Sequence, residues 1–228
     1  MANKKNQMVE PEVNIGEALS KVELFFNNNK KKIAYILGII VAIILLFVCY
    51  REFIAKPKHK EAQNQMIVPE RYFRLDSFAL ALKGDGNFLG FEDIIKDFGS
   101  KADQAVYFYA GVCEFQLGNY DQAIKYFNKY STTDSNLKAR AKACIGDSYV
   151  NKEEISTAVG YFEEAAKISD NIFSADYLKK AADCYVELKQ YEKALKAYQT
   201  IKDTYRESPV AMDIDKYISR TESLMKSK

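Results

Sequence analysis

"GNYDQAIKYF" (Gly118–Phe127), "EISTAVGYF" (Glu154–Phe162) and "QYEKALKAY" (Gln190–Tyr198) are three versions of one sentence. Aligning them puts Ala123, Ala158 and Ala194 in register, 35 and 36 residues apart. An aromatic follows each alanine by four residues: Phe127, Phe162 and Tyr198. Tyr120, Ile155 and Tyr191 stand three residues before. Gly111, Gly146 and Ala182 stand 12 before, and Tyr149 and Tyr185 follow the last two of these by three. The small residues let two helices of one unit approach closely. The aromatics plug the gap between that pair and the first helix of the next unit. A single such unit cannot bury its apolar face alone, so several must stack.

This spacing resembles the tetratricopeptide repeat family. The resemblance implies an all-α helical solenoid whose units are antiparallel helix pairs. The helices fall near 104–117 and 120–132, near 138–151 and 154–168, and near 174–188 and 191–204, giving three repeats over 104–207. Leu117-Gly118-Asn119 is a turn between helices. Ser208-Pro209 starts a capping helix within 208–228, with proline at the first helical position. Scarce Gly and Pro, 10 and 4 in 228 residues, agree with long helices.

Residues 51–103 read as a linker helix and a degenerate first repeat. One helix is expected over 58–82, with Met66, Ile67, Tyr72, Phe73, Leu75, Phe78 and Leu80 on broad apolar faces. Pro69 starts its second half or kinks it. "KGDGN" (Lys83–Asn87) is a turn, and Phe88–Gly99 a short amphipathic helix.

"IAYILGIIVAIILLFVCY" (Ile33–Tyr50) is 18 residues without a charge. At about 1.5 Å per residue it reaches about 27 Å, close to bilayer hydrocarbon thickness. Lys30, Lys31 and Lys32 precede it, Arg51 follows, and Tyr35 and Tyr50 sit where rings favour the interface. The reading is a permanent transmembrane helix at 33–50, preceded by an N-terminal tail (1–32) with a juxtamembrane amphipathic segment. A cleaved signal does not fit, because the apolar run is too long and no small-x-small site follows. Nor does lipid attachment at Cys49, since Val48 before it is not small. Flanking charge ties at four basic residues a side, Lys21, Lys30, Lys31 and Lys32 against Arg51, Lys56, Lys58 and Lys60. The contiguous lysines favour the N-terminus inside.

Composition excludes much chemistry. Net charge is +2, which gives no general case for nucleic acid. The chain has one histidine, His59, which reads as a solvated basic flank. Histidine-assisted nucleophiles and paired-histidine zinc sites are therefore out. Cys113, Cys144 and Cys184 form no CxxC and read as small buried hydrophobes. "GDGNFLG" (Gly84–Gly90) misses the dinucleotide spacing by one residue, and as a calcium loop it would end on Lys96 where a carboxylate is needed. Glu153-Glu154 and Glu163-Glu164 read as solvated helix faces. No catalytic residue, metal or cofactor is expected, and the chain is expected not to be an enzyme.

First helices of stacked repeats line a concave surface. Here those positions hold Phe108, Tyr109, Val112 and Phe115, then Arg140, Ala143, Cys144 and Asp147, then Asp176, Lys179, Lys180 and Asp183. An apolar end grading into a mixed-charge end suits an extended or helical peptide. The same spacing serves a second reading, in which Phe108, Tyr109 and Phe115 are covered by the helices of 58–97.

"VELFFNNNKKKIAYILGII" (Val22–Ile40), followed by helical repeats, resembles the membrane-anchored ancillary subunit of the bacterial protein-translocation channel. That resemblance implies a single-pass inner-membrane protein with a cytoplasmic tail and a periplasmic repeat domain. It implies contact with the channel, a membrane-anchored prolyl-isomerase chaperone and unfolded clients. "YRESPVA" (Tyr205–Ala211) also resembles repeat ends of outer-membrane assembly lipoproteins and of a cell-division coordinator. The expected function is a non-enzymatic, membrane-tethered interaction adaptor at the channel, the alternative a scaffold for another envelope complex.

Overall fold

Eleven α-helices and no strand occur among the described residues, which are 15–227 of this computed structural model. The expectation for tail residues 1–14 lies outside them. The chain divides into two units after Pro57.

In the first unit, α1 runs Ile15–Tyr50, and a π-helical turn follows at Arg51–Ala55. The helix begins well before the apolar run, so Lys30, Lys31 and Lys32 are helical residues. Side chains from Ala34 to Tyr50 are all exposed. This helix is long and apolar enough to cross a membrane.

The second unit begins inside α2 (Lys56–Arg74) and continues with α3 (Phe78–Lys83) and α4 (Phe91–Phe98). The sequence suggested one helix over 58–82, but the chain breaks at Leu75–Ser77. Asp76 takes a left-handed φ of 54°, which Asp tolerates better than most residues. Amides of Leu75 and Asp76 return to the Tyr72 and Phe73 carbonyls, and that of Ser77 to Tyr72. The break turns α3 so that Ala81 and Leu82 join Met66, Phe91, Ile94, Val106, Ala110 and Cys113 in one core. Pro69 lies buried inside α2 without ending it. The Lys83–Asn87 turn is held by Asp85, which accepts from the Asn87 and Phe88 amides at 2.9 and 2.8 Å and from the Tyr72 hydroxyl at 2.7 Å.

His59 is solvent-exposed, as a basic flank should be, and it also carries a long-range hydrogen bond. Its Nδ1 donates to the Lys101 carbonyl at 2.9 Å, and Nε2 lies 3.1 Å from the Gln63 amide. The partner is 42 residues away, so no local pattern marks it.

Three helix pairs follow. They are α5 (Ala105–Gln116) with α6 (Tyr120–Lys129), α7 (Ser135–Asn151) with α8 (Ile155–Ser169), and α9 (Ser174–Glu187) with α10 (Tyr191–Thr204). Each first helix closes the same way. Gly118, Glu153 and Lys189 take left-handed φ values of 81°, 61° and 58°. Each donates its amide three residues back, and the next residue donates five back: Asn119 to Glu114, Glu154 to Tyr149, Gln190 to Tyr185. This is the Schellman closure, and it recurs with the sequence period.

The small-residue positions sit against aromatic rings. A Cβ built on Gly111 would lie 2.8 Å from the Phe127 ring, and one on Gly146 2.7 Å from the Phe162 ring. Ala123, Ala158, Ala182 and Ala194 are wholly buried. Phe127 also packs with Ile145 of the next pair, so each ring serves both its own pair and the joint. Tyr149 and Tyr185 pack with Ala158 and Phe162, and Tyr191 is buried. Tyr120 reaches across a joint, its hydroxyl donating to Asn151 Oδ1 at 3.3 Å.

The stack ends on a 3-10 turn (Pro209–Asp213) and α11 (Ile214–Lys226). Ser208 caps the turn by accepting the Ala211 amide. Ile214 is buried beside Tyr198 and Ile201, with Val210, Tyr217 and Ile218 packed around them.

Candidate partner-binding surface

Phe108, Val112 and Phe115 of α5 meet Arg140, Cys144 and Asp147 of α7 over the ring of Phe127, around a cavity of about 190 Å³. Positions 108, 112 and 115 are spaced four and three apart, so one face of α5 carries all of them. The Phe108 ring stands edge-on to Phe127 at 5.6 Å and tilted to Tyr130 at 5.4 Å. Phe115 stands edge-on to Tyr120 at 5.6 Å. Phe108, Val112 and Phe115 are each half-buried.

Tyr109, one residue on, is turned away from this cavity. Its ring stacks on Phe91 at 5.3 Å and meets Phe73 edge-on at 5.0 Å. The sequence allowed these aromatics to be either groove or covered core. The structure divides them: Tyr109 packs under the preceding helices, while Phe108 and Phe115 face the cavity.

Charge on the surface is unevenly paired. Lys180 of α9 holds both Asp147 oxygens, at 2.6 and 2.7 Å. Lys179 pairs with Asp183 at 2.7 Å, and Asp183 also accepts the Tyr198 hydroxyl at 2.7 Å. Burial opposes the charge on Lys179, but Asp183 overrides it and raises the lysine above its ordinary value. Lys179 Nζ also lies 4.2 Å from the centre of the Tyr217 ring. Arg140 differs: its guanidinium lies 5.9 Å from the Phe108 ring centre, and among the described residues no carboxylate pairs with it.

A second cavity, of about 330 Å³, lies where α9 and α10 meet the cap, with Lys179, Asp183, Tyr198, Tyr217 and Arg220 on its walls. The sequence marks Tyr217 only as a packing residue of the capping helix and Arg220 not at all, because α11 carries no copy of the repeat by which a cavity position could be aligned.

Burial is the main cause that raises each thiol, Cys144 to about 11, Cys113 to about 12 and Cys184 to about 11. At neutral pH they are protonated thiols, poor nucleophiles and poor metal ligands.

The tetratricopeptide repeat model matches residues 105–135 and 178–208, which lie on the first and third helix pairs. Two crystal structures of MamA are similar. One is 16% identical, with 70% of this chain and 95% of that one covered at a TM-score of 0.50. The other is 17% identical, with 72% and 88% covered at 0.53. The nearly identical TPR-like repeats of a Podosopora anserina protein described as a kinesin light chain are 12% identical, with 75% and 89% covered at 0.56. No curated protein sequence matches the chain. The fold is therefore that of a tetratricopeptide-repeat solenoid, with an N-terminal helix long and apolar enough to span a bilayer.

Proposed function

We propose that the chain is a membrane-tethered protein-interaction adaptor. The observation that carries this reading is the surface formed by first helices α5, α7 and α9. It joins an apolar cavity to a row of charged side chains at Arg140, Asp147, Lys179 and Asp183. Surfaces of that composition suit peptide segments rather than small polar substrates. Helix α1 supports the tether, and a tether raises local concentration so that weak contacts suffice.

The particular role we assign is an ancillary subunit at the bacterial protein-translocation channel. The repeat unit stands in the periplasm, holds emerging chains and recruits a membrane-anchored prolyl-isomerase chaperone. The Val22–Ile40 stretch, with its paired phenylalanines, asparagines and lysines before the span, supports this assignment. Crosslinking in intact cells, mild detergent extraction and mass spectrometry test it. Channel or chaperone components should dominate the recovered partners. Their absence, with components of another envelope complex in their place, moves the chain to the general scaffold reading. Protease digestion of spheroplasts tests the placement: the repeat unit should be cut from outside.

A further inference from the structure

We infer that the cavity between α5 and α7 is a subsite for a partner segment carrying one large apolar side chain with a carboxylate beside it. This deepens the adaptor reading and rests on it.

The interior of the cavity decides the first half. Phe108, Val112, Phe115 and Phe127 present hydrocarbon to it, the Cys144 thiol beside them is neutral, and the polar part of the lining is Gln116, Arg140 and Asp147, of which Gln116 and Arg140 are exposed. Water in such a space finds few hydrogen-bond partners, so an apolar group that displaces it gains by burial. The cavity, about 190 Å³, lies open at the surface between two repeats, on the face the first helices share.

The rim decides the second half. Asp147 is neutralised by two contacts with Lys180, leaving it little attraction for a basic side chain. Arg140 keeps its charge available, exposed at the mouth, with no carboxylate partner among the described residues. Its guanidinium lies near the Phe108 ring, which favours a planar cation close to the opening. The sum at the rim is one positive charge in fork geometry. An aspartate or glutamate next to the apolar anchor meets that fork, whereas a lysine or arginine there is repelled.

The test uses the full chain in phosphatidylcholine nanodiscs and short fluorescein-labelled peptides. One peptide carries a single phenylalanine flanked by aspartates, the second has lysines in their place, and the third replaces the phenylalanine by alanine. Fluorescence anisotropy should rank the acidic peptide above the basic one by about tenfold, and the alanine peptide should lose about as much. Arg140→Glu should reverse the charge ranking while leaving thermal unfolding by circular dichroism in place. Equal binding of acidic and basic peptides overturns the inference, as does a ranking that Arg140→Glu leaves unchanged. Equal binding of the alanine peptide does so too, and binding of lipid or detergent tails alone has the same meaning. If no peptide binds while partner crosslinks survive in Arg140→Glu, the subsite fails and the adaptor reading stands. If the charge reversal is seen but no channel component is ever crosslinked, the subsite stands and the channel assignment fails.

Discussion

Lys180 of α9 grips Asp147 of α7 with its ammonium 2.6 and 2.7 Å from the two carboxylate oxygens, across 33 residues of sequence. This contact ties the first helix of one repeat to the first helix of the repeat before it. Nearest-neighbour joints of this kind carry the stability of a solenoid, since distant repeats never touch.

The pair is partly exposed, so its contribution is modest. Asp147→Asn, Lys180→Met and the double variant should give a coupling energy of about 0.5–1 kcal/mol in urea titrations. Raising the salt concentration should shrink it. A coupling of zero would mean that the α7–α9 joint rests on apolar packing alone.

Gly111 and Gly146 should resist substitution despite their helical positions. Alanine raises helix propensity by about 1 kcal/mol. Against that, the new Cβ would stand 2.8 and 2.7 Å from the rings of Phe127 and Phe162. Overpacking of about 1–3 kcal/mol wins. Gly111→Ala and Gly146→Ala should lower the urea midpoint, and Phe127→Leu or Phe162→Leu should recover part of each loss. A neutral result would show that the rings can shift freely.

The left-handed closures predict the opposite sign. Glu153 and Lys189 hold φ values of 61° and 58° where Gly118 holds 81°. Glycine adopts this region without the Cβ clash that others suffer. Glu153→Gly and Lys189→Gly should each stabilise the chain by about 0.5–1 kcal/mol, and Gly118→Ala should destabilise it by about the same. Thermal melts of the three variants decide the matter.

The buried thiols make stability fall at high pH. Cys113 is raised from 9.0 to about 12, and Cys144 and Cys184 from 9.0 to about 11. An unfolded chain loses these protons first, so it binds fewer protons than the folded chain above pH 9. Stability from this source is complete below that point and falls as pH rises toward 11 and 12. Urea midpoints should decline above pH 9. Replacing Cys113 by Ala should flatten that decline while lowering stability at pH 7 through the lost packing.

How much of this was legible in the sequence depends on distance along the chain. The pairing of Gly111 with Phe127, and of Gly146 with Phe162, could be read because both partners recur at a constant offset in each repeat. The helix break at Asp76 could not, because Leu75-Asp76-Ser77 contains neither Gly nor Pro and the turn serves the packing of α3 against α5, residues far off in sequence. The separation of Phe108 from Tyr109 was beyond reach for the same reason. Adjacent residues on one helix face different neighbours, and only the packing of Phe73 and Phe91 shows which ring is covered. Arg220 came from the cap, where the period stops.

The repeated closure of α5, α7 and α9 has an evolutionary consequence. Each helix pair makes its internal turn with the same backbone geometry, and the spacing from Ala158 to Ala194 is 36 residues. Duplication of one such block lengthens the array by one joint and leaves α1–α4 and α11 untouched. Gene segments of that size can therefore be gained or lost without inventing a new terminus, so the reach of the molecule and its two ends are inherited separately.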